Sequence, residues 1–163
     1  MVSEAPTVES SIERLERAWL RVIRQSELPA VDEHLRRASG VDLSRGSYVA
    51  LARLHDGGPM GVSELASVAG VDISTMSRTL KHLLQQGLVE RQPGSDRRCA
   101  LIHTSVRGGE LVAQRRQSGQ RFLSEILHDW SEADRETMAT LMTRLAGDFA
   151  NYFNNLPEPA ITH

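Results

Sequence analysis

The chain has 163 residues, of which 25% are charged and 40% are apolar, and its formal net charge is −2. This length suits one globular domain, which buries roughly 68–70% of the surface that its unfolded chain exposes. No run of 18 apolar residues and no signal-peptide pattern occurs, so the sequence predicts a cytoplasmic protein that makes no contact with a membrane. The single cysteine, Cys99, has no partner for an internal disulfide, which fits a reducing compartment.

Charge is distributed unevenly along the chain. Residues 1–59 carry 8 basic and 9 acidic side chains, residues 60–107 carry 6 and 4, and residues 108–163 carry 5 and 8. The middle segment is therefore the basic one. A nucleic-acid surface is favoured there if its cations share a face.

The N-terminal third of the sequence predicts three helices. From Ser10 to about Pro29, apolar residues recur at helical spacing, at Ile12, Leu15, Trp19, Val22 and Ile23. A shorter helix ends at Gly40. The third begins at an N-cap supplied by Asp42 or Ser44.

Two short helices joined by a glycine turn are predicted next. The first has Ser63 as its expected N-cap and Gly70 as its turn, and Asp72 is placed to cap the second, which ends at Gly87. One face of the second helix is an apolar stripe of Met76, Leu80, Leu83 and Leu84. The opposite face is polar and cationic, with Ser74, Arg78, Lys81 and Gln85.

A short hairpin is predicted after this helix, with strands at Leu88–Gln92 and Cys99–His103 and a turn at residues 93–98. Two helices with a glycine turn, followed by a hairpin, make a winged helix-turn-helix, whose second helix enters the major groove of DNA. The hairpin tip then lies over the minor groove. A narrow A·T-rich groove attracts a guanidinium such as that of Arg97 or Arg98.

Two long amphipathic helices are predicted to complete the chain. Ser105 can cap the first, and the second begins at Ser131, with Asp134 three residues further on. Their apolar stripes have no partner inside a compact winged lobe, so we expect them to pack on the first helix and on a second subunit. The stripe of the last helix is Met138, Leu141, Leu145, Phe149, Tyr152 and Phe153.

The segments SELASVAGVDISTMSRTLKHLLQQGLVER and DRRCALIHTSVRGGEL resemble the helix-turn-helix and the wing of the MarR family of bacterial transcriptional regulators. The resemblance covers about Leu43 to Leu111 in detail. It implies an obligate homodimer that represses genes near its own and releases DNA when a small, often aromatic, ligand binds between its two lobes. Thr104 and Val106 depart from the family pattern, which has an apolar and an acidic residue there, so the strand-to-helix joint is expected to differ locally.

The resemblance also implies site residues. The D-x-R signature of the wing falls on Asp96 and Arg98, which makes Arg98 the minor-groove residue and gives Asp96 a wing-stabilising role. The family's recognition-helix contacts fall on Ser74, Thr75, Ser77 and Arg78. Together with the residues that helical spacing and the hairpin tip indicate, the predicted DNA-binding residues are Ser63, Ser74, Thr75, Ser77, Arg78, Lys81, Gln85, Arg97 and Arg98. Trp19 and Tyr48 are candidates to flank the ligand cleft, with plain core packing as the alternative.

Other classes of function compete with a regulator. Catalysis is not expected, because no G-x-S-x-G, P-loop or H-E-x-x-H motif occurs. The six histidines show no metal-ligand spacing, so neither a metal site nor a cofactor is expected. Two alternatives stay open, a redox-responsive regulator acting through Cys99 and a winged-helix protein-interaction module without specific DNA binding.

The predicted fold is mainly α with a small two- to three-stranded β wing, flanked by N- and C-terminal dimerisation helices. We predict a sequence-specific, ligand-responsive repressor that binds a pseudo-palindromic operator as a homodimer. The expected ranges are 1–9 for a disordered N-terminus, 10–155 for a single MarR-like domain, about 43–104 for its winged lobe, about 10–40 and 105–155 for its dimerisation helices, and 156–163 for a flexible tail.

Overall fold

The computed structural model describes residues 10–93 and 100–155. Its helices are α1 (Ser11–Ser26), α2 (Pro29–Ser39), α3 (Arg45–Gly57), α4 (Val62–Ala69), α5 (Ile73–Gln85), α6 (Val106–Ile126) and α7 (Glu132–Asn154). Between α5 and α6, strands β1 (Val89–Pro93) and β2 (Ala100–Thr104) pair antiparallel. This is the mainly helical architecture with a small β wing that the sequence predicts.

The chain forms two compact units that divide between Gln120 and Arg121, inside α6. The first unit holds α1 to α5, the sheet and most of α6, and the second holds the end of α6 and all of α7. All the buried core residues belong to the first unit.

Polar side chains cap the N-termini of α1, α3 and α7. Ser10 and Glu13 form a reciprocal capping box at α1, in which each side chain accepts a hydrogen bond from the other residue's backbone N–H. Of the two candidate caps for α3, Ser44 is the one used, since its Oγ accepts from the backbone N–H of Ser47 at 3.2 Å. Ser131 caps α7. Each cap satisfies a backbone donor that the helix itself leaves unpaired.

The prediction that Ser63 is the N-cap of α4 is wrong, because the cap is Gly61. Met60 and Ile102 exchange two backbone hydrogen bonds, of 3.0 and 2.8 Å, which hold the chain extended up to Met60. The helix therefore begins at Val62 and places Ser63, exposed, in its first turn. The same one-residue bridge is all that the described chain has of a third strand in the wing.

The core of the first unit joins α3, α4, α5, α6 and the sheet. Its fully buried large side chains are Leu51, Leu54, Leu65, Leu83, Leu88, Val89 and Val112. Burying one such side chain contributes about 1.5–3 kcal/mol relative to exposing it. Met76 and Leu80 extend this cluster along α5, so the apolar stripe predicted for that helix is what anchors it to the lobe.

The first strand begins, and the second ends, one residue later than predicted. Leu88 donates its N–H to the carbonyl of Leu83 at 3.0 Å and so belongs to the turn that ends α5, and the ladder begins at the pair Val89 and Thr104. Residues 94–99, which include most of the predicted turn and Cys99, lie outside the described residues.

The terminal helices have few buried side chains. α1 has no buried residue, and Ile12 on it is 71% exposed. Large apolar side chains are also exposed at the end of α6 and along α7, at Leu123, Ile126, Met138, Leu141, Met142, Phe149, Tyr152 and Phe153. Within the part of the chain that the structure describes, no helix is both long enough and apolar enough to cross a bilayer.

Candidate nucleic-acid interface

The turn between α4 and α5 depends on a left-handed glycine. Gly70 has φ +66°, a backbone conformation that residues other than glycine rarely adopt. The N–H of Gly70 donates to the carbonyl of Ser67, and that of Val71 donates to the carbonyl of Ala66, both at 3.1 Å. These bonds end α4 and lead the chain directly into α5.

The two faces of α5 differ as the sequence predicts. Met76, Leu80 and Leu83 are buried in the core of the first unit. The opposite side is exposed and carries two cations, with Ser74, Arg78, Lys81 and Gln85. We call these four residues the polar face of α5. Ser77 is also exposed, but it lies about 100° around the helix from Met76, at the border between the two faces. Because the residues of the polar face are held on a helix whose other side is fixed in the core, their positions are set by the fold.

The start of α5 is organised by Asp72. One carboxylate oxygen accepts from the backbone N–H of Thr75 at 2.8 Å and from the hydroxyl of Ser74, and the other accepts from the hydroxyl of Thr75 at 2.7 Å. These hydrogen bonds, led by that from Ser74, hold the pKa of Asp72 well below its ordinary value. A hydroxyl has one hydrogen to donate, so Ser74 and Thr75 would have to leave Asp72 before donating to a phosphate.

Arg78 lies one turn after Ser74. Its Nε donates to the carbonyl of Ser74 at 3.3 Å and its Nη2 to the hydroxyl of Thr75 at 3.5 Å. Both distances are at the long end for a hydrogen bond, and the side chain is exposed. The guanidinium is thus oriented along the helix surface and can leave these contacts at little energetic cost.

The end of α5 is closed by a second left-handed glycine. Gly87 has φ +67°, its N–H donates to the carbonyl of Leu84, and the N–H of Leu88 donates to the carbonyl of Leu83, both at 3.0 Å. This pair of bonds is a Schellman motif. It confirms the predicted role of Gly87 and leads the chain from α5 into β1.

Ser105 joins the wing to α6. Its Oγ accepts from the N–H of Gly108 at 3.0 Å, which makes it the predicted cap of α6. At the two positions that depart from the family pattern, Val106 is 84% exposed and the hydroxyl of Thr104 is buried with no hydrogen-bond partner among the described residues. Ser105, which lies between these two residues, makes the hydrogen bonds at this joint through its hydroxyl.

Two consecutive arginines on α6 bind other helices of the first unit. Arg115 is 6% exposed, and its Nη2 donates to a carboxylate oxygen of Asp32 on α2 at 2.6 Å. Arg116 donates to both carboxylate oxygens of Asp56 on α3, at 2.7 and 2.6 Å, and this hydrogen bonding lowers the pKa of Asp56. No signal in the sequence could have found these pairs, because the partners are 83 and 60 positions apart.

The two candidate ligand residues lie in the first unit. Tyr48 packs partly buried against the core, and the guanidinium carbon of Arg115 lies 5.4 Å from its ring centroid. Trp19 is half-buried on α1. The contact with Arg115 gives Tyr48 a packing role, and the proposed ligand cleft stays a prediction.

Three predicted wing residues, Asp96, Arg97 and Arg98, lie outside the described residues, as does Cys99. Ser63 and the polar face of α5 are all exposed. Residues 10–93 and 100–155 contain no group of three histidine, cysteine or carboxylate side chains able to hold a metal ion.

Comparisons with known proteins agree with this geometry. The family model of the MarR family matches residues 43–100. A Bacillus subtilis protein, the uncharacterised HTH-type transcriptional regulator YxaD, is 32% identical over 105 residues, which are 64% of this chain and 73% of that protein.

Solved structures show the same fold. A MarR family protein from Bacillus stearothermophilus superposes with a TM-score of 0.72 at 18% identity, covering 88% of this chain and 99% of that one. The apo form of MarR from E. coli superposes with a TM-score of 0.67 at 24% identity, covering 80% and 95%. With the helix-turn-helix geometry, the matching family model and the sequence relative in agreement, the chain belongs to the MarR family of bacterial transcriptional regulators, which bind DNA and are not enzymes.

Proposed function

We propose that the protein is a cytoplasmic, ligand-responsive repressor that binds a pseudo-palindromic operator as a homodimer. The observation that carries this proposal is the polar face of α5, which is exposed along the side opposite the buried stripe. A helix of this kind fits the major groove, where arginine and glutamine reach base edges and serine and lysine reach phosphates. The proposed contacts are Ser63, Ser74, Thr75, Ser77, Arg78, Lys81, Gln85, Arg97 and Arg98.

Within this set we give Arg78 the role of base reader. Its guanidinium is exposed and is held by two long contacts to the first turn of α5, which is the part of a recognition helix that reaches base edges. A bidentate pair between arginine and guanine discriminates against the wrong base by about 1–3 kcal/mol. The contribution of Arg78 should therefore depend on sequence.

The homodimer is supported by the exposed apolar side chains of the terminal helices. Exposed apolar side chains on α1 include Ile12 and Leu15, and those on α7 include Leu141 and Phe153. In the second unit, a cavity of about 540 Å³ beside α7 is lined by Trp130, Met138 and Leu141 together with polar residues. Large apolar side chains exposed along a helix mark protein–protein contacts.

The proposed effector is a small aromatic molecule near Trp19 and Tyr48. Support comes from the two half-buried aromatic rings. A panel of small aromatic compounds, titrated into the DNA complex, should contain one that releases the duplex. Tyr48→Ala should raise its half-maximal concentration, and an unchanged value would remove Tyr48 from the site.

The wing arginine follows from the family resemblance. We propose that Arg98 enters the minor groove and that Asp96 stabilises the wing. Because a narrow A·T-rich groove attracts guanidinium groups, Arg98→Ala should weaken binding to A·T-flanked duplexes more than to G·C-flanked ones. Equal weakening would contradict the minor-groove role.

The experiment is a titration of purified protein against labelled duplex from upstream of its own gene and against a scrambled duplex, at low and near-physiological salt. Arg78→Ala is compared with Arg53→Ala, which removes one cation from an exposed position on α3. We expect Arg78→Ala to weaken the preferred duplex about 5- to 150-fold and Arg53→Ala to change little.

If Arg78→Ala lost the same affinity for both duplexes, Arg78 would contact phosphate and would not read a base. An absence of any sequence preference in the wild-type protein, on this duplex and on fragments selected from the genome, would contradict a specific regulator. Such a result would favour the protein-interaction module.

A further inference from the structure

The start of α6 holds the turn that follows α5. The carbonyls of three consecutive residues each accept a hydrogen bond from it. Gln86 accepts from Nη1 of Arg107 at 3.1 Å, Gly87 accepts from Oγ of Ser105 at 2.8 Å, and Leu88 accepts from the backbone N–H of Ser105 at 3.1 Å. We call these three hydrogen bonds the α6 clasp.

The clasp is closely packed at its centre. Ser105 is 7% exposed, and its hydroxyl donates to Gly87 while accepting from the N–H of Gly108. A Cβ built on Gly108 would lie 2.1 Å from the carbonyl oxygen of Leu88, well inside van der Waals contact. Only glycine therefore lets the first turn of α6 approach the turn after α5 this closely.

Further along, α6 is tied to other parts of the first unit. Arg115 and Arg116 bind Asp32 on α2 and Asp56 on α3. With a rise of 1.5 Å per residue, Arg107 and Arg115 are about 12 Å apart along the helix axis. One rigid element thus holds the end of α5 at its first turn and both α2 and α3 further along.

We propose that Arg107 and Ser105 are positioning residues for DNA recognition, which fix the C-terminal end of α5 relative to α6 without touching DNA. This inference rests on the proposed placement of α5 in the major groove. Asp72 organises the start of that helix, and the clasp fixes its end. Base readout requires side chains that are held to within about 0.5 Å of their binding positions. If the C-terminal end of α5 is not fixed, we therefore expect the protein to lose specificity for its DNA sequence before it loses folding stability.

The test uses Arg107→Met, which keeps an apolar stem at this exposed position and removes the donor, with Arg53→Met as the charge-matched control. Affinity is measured for the preferred and scrambled duplexes over a range of salt. We expect Arg107→Met to weaken the preferred duplex about 5- to 10-fold, to leave the scrambled duplex unchanged and to keep the salt slope. Arg53→Met should match the wild-type protein.

Two results would overturn the proposal. Equal weakening on both duplexes, with a salt slope smaller by about one, would make Arg107 a direct phosphate contact. Unchanged affinity for both duplexes would show that the Arg107 hydrogen bond does not position α5.

Hydrogen exchange on the full chain without DNA tests the clasp itself. Arg107→Met should speed exchange of the backbone amides of Gln86, Gly87 and Leu88, and wild-type rates there would contradict the proposal. Ser105→Ala should speed exchange of the same amides, and Ser105→Thr, which retains the hydroxyl, should keep the wild-type rates. If the wild-type protein preferred no duplex, the proposed function would fail while this exchange still decided whether the clasp holds the turn.

Discussion

The winged lobe, residues 43–104, and the terminal helices α1 and α7 are built from similar amphipathic patterns but bury them differently. In the winged lobe the apolar stripe of α5 is closed by α3, α4 and the sheet, and Leu83 on it is 0% exposed. On α7 the stripe residue Leu141 is 58% exposed, and none of the described side chains of that helix is buried. The difference teaches that a period of 3.6 residues predicts a buried face without saying which molecule buries it.

The comparison has a consequence for stability. Where a helix packs inside its own chain, truncating a buried side chain lowers the free energy of unfolding at any protein concentration. Where a helix packs on a second copy, its contribution to stability depends on protein concentration through mass action. The two regions should therefore respond to substitution in different ways.

The largest effect is expected in the core of the winged lobe. Leu83→Ala removes a fully buried side chain and leaves a cavity, so it should lower the free energy of unfolding by about 2–5 kcal/mol. Denaturant unfolding at fixed protein concentration measures this loss. Leu141→Ala, on the exposed stripe of α7, is the matched control and should lower the free energy of unfolding of dilute protein by less. An equal loss in the two variants would contradict the difference between the two regions.

The next effect tests the apolar face of α7. Leu141→Asp should weaken self-association about tenfold or more, because burying one leucine is worth about 1.5–3 kcal/mol and 1.4 kcal/mol is a factor of ten. Sedimentation velocity over a concentration series gives the dissociation constant. Thr143→Asp, two residues on and roughly on the opposite side of the helix, should leave it unchanged. Equal behaviour of the two variants would mean that this face does not join two copies.

A smaller effect is expected where α6 meets the winged lobe. Gly108→Ala places a Cβ against the carbonyl of Leu88 and should cost about 1–3 kcal/mol of stability, measured by chemical denaturation. Gly109→Ala meets only the His55 ring at 3.5 Å, and alanine favours a helix, so that variant should be neutral or up to about 1 kcal/mol more stable. Reversal of this order would contradict the close approach.

The smallest effect is a pH dependence at the start of α5. The pKa of Asp72 is depressed below its ordinary value of 3.8, so its carboxylate stabilises the fold above that value, and the contribution is lost as pH falls through the folded pKa. Asp72→Asn keeps the cap and removes the titration. Its thermal midpoint should therefore fall less than that of the wild-type protein below about pH 4. If the thermal midpoints of the two proteins fell in parallel with pH, the charge of Asp72 would contribute nothing to stability.

Local signals predicted the parts of the fold that depend on neighbouring residues. Asp72, Ser44 and Ser131 cap helices where their spacing indicates, and Gly87 closes α5 in the left-handed conformation. The prediction that Ser63 caps α4 is wrong because the start of α4 is set by the backbone bridge between Met60 and Ile102, which is distant in sequence.

The candidate site divides in the same way. The polar face of α5 could be predicted because helical spacing alone places its residues on one side. The Arg107 contact could not, because its acceptor is a backbone carbonyl 21 positions away that any residue type could supply. The ion pairs of Arg115 and Arg116 depend equally on the packing of α6 against helices distant in sequence.

The most direct measurement is the selection of genomic fragments bound by the purified full-length protein, followed by sequencing. A homodimer presenting two copies of α5 should enrich fragments that share an inverted repeat, with half-sites about one helical turn, roughly 34–36 Å, apart. Enrichment of the inverted repeat should fall with Arg78→Ala and persist with Arg53→Ala. Recovery of fragments without a common inverted repeat would contradict a dimeric regulator that reads DNA through α5.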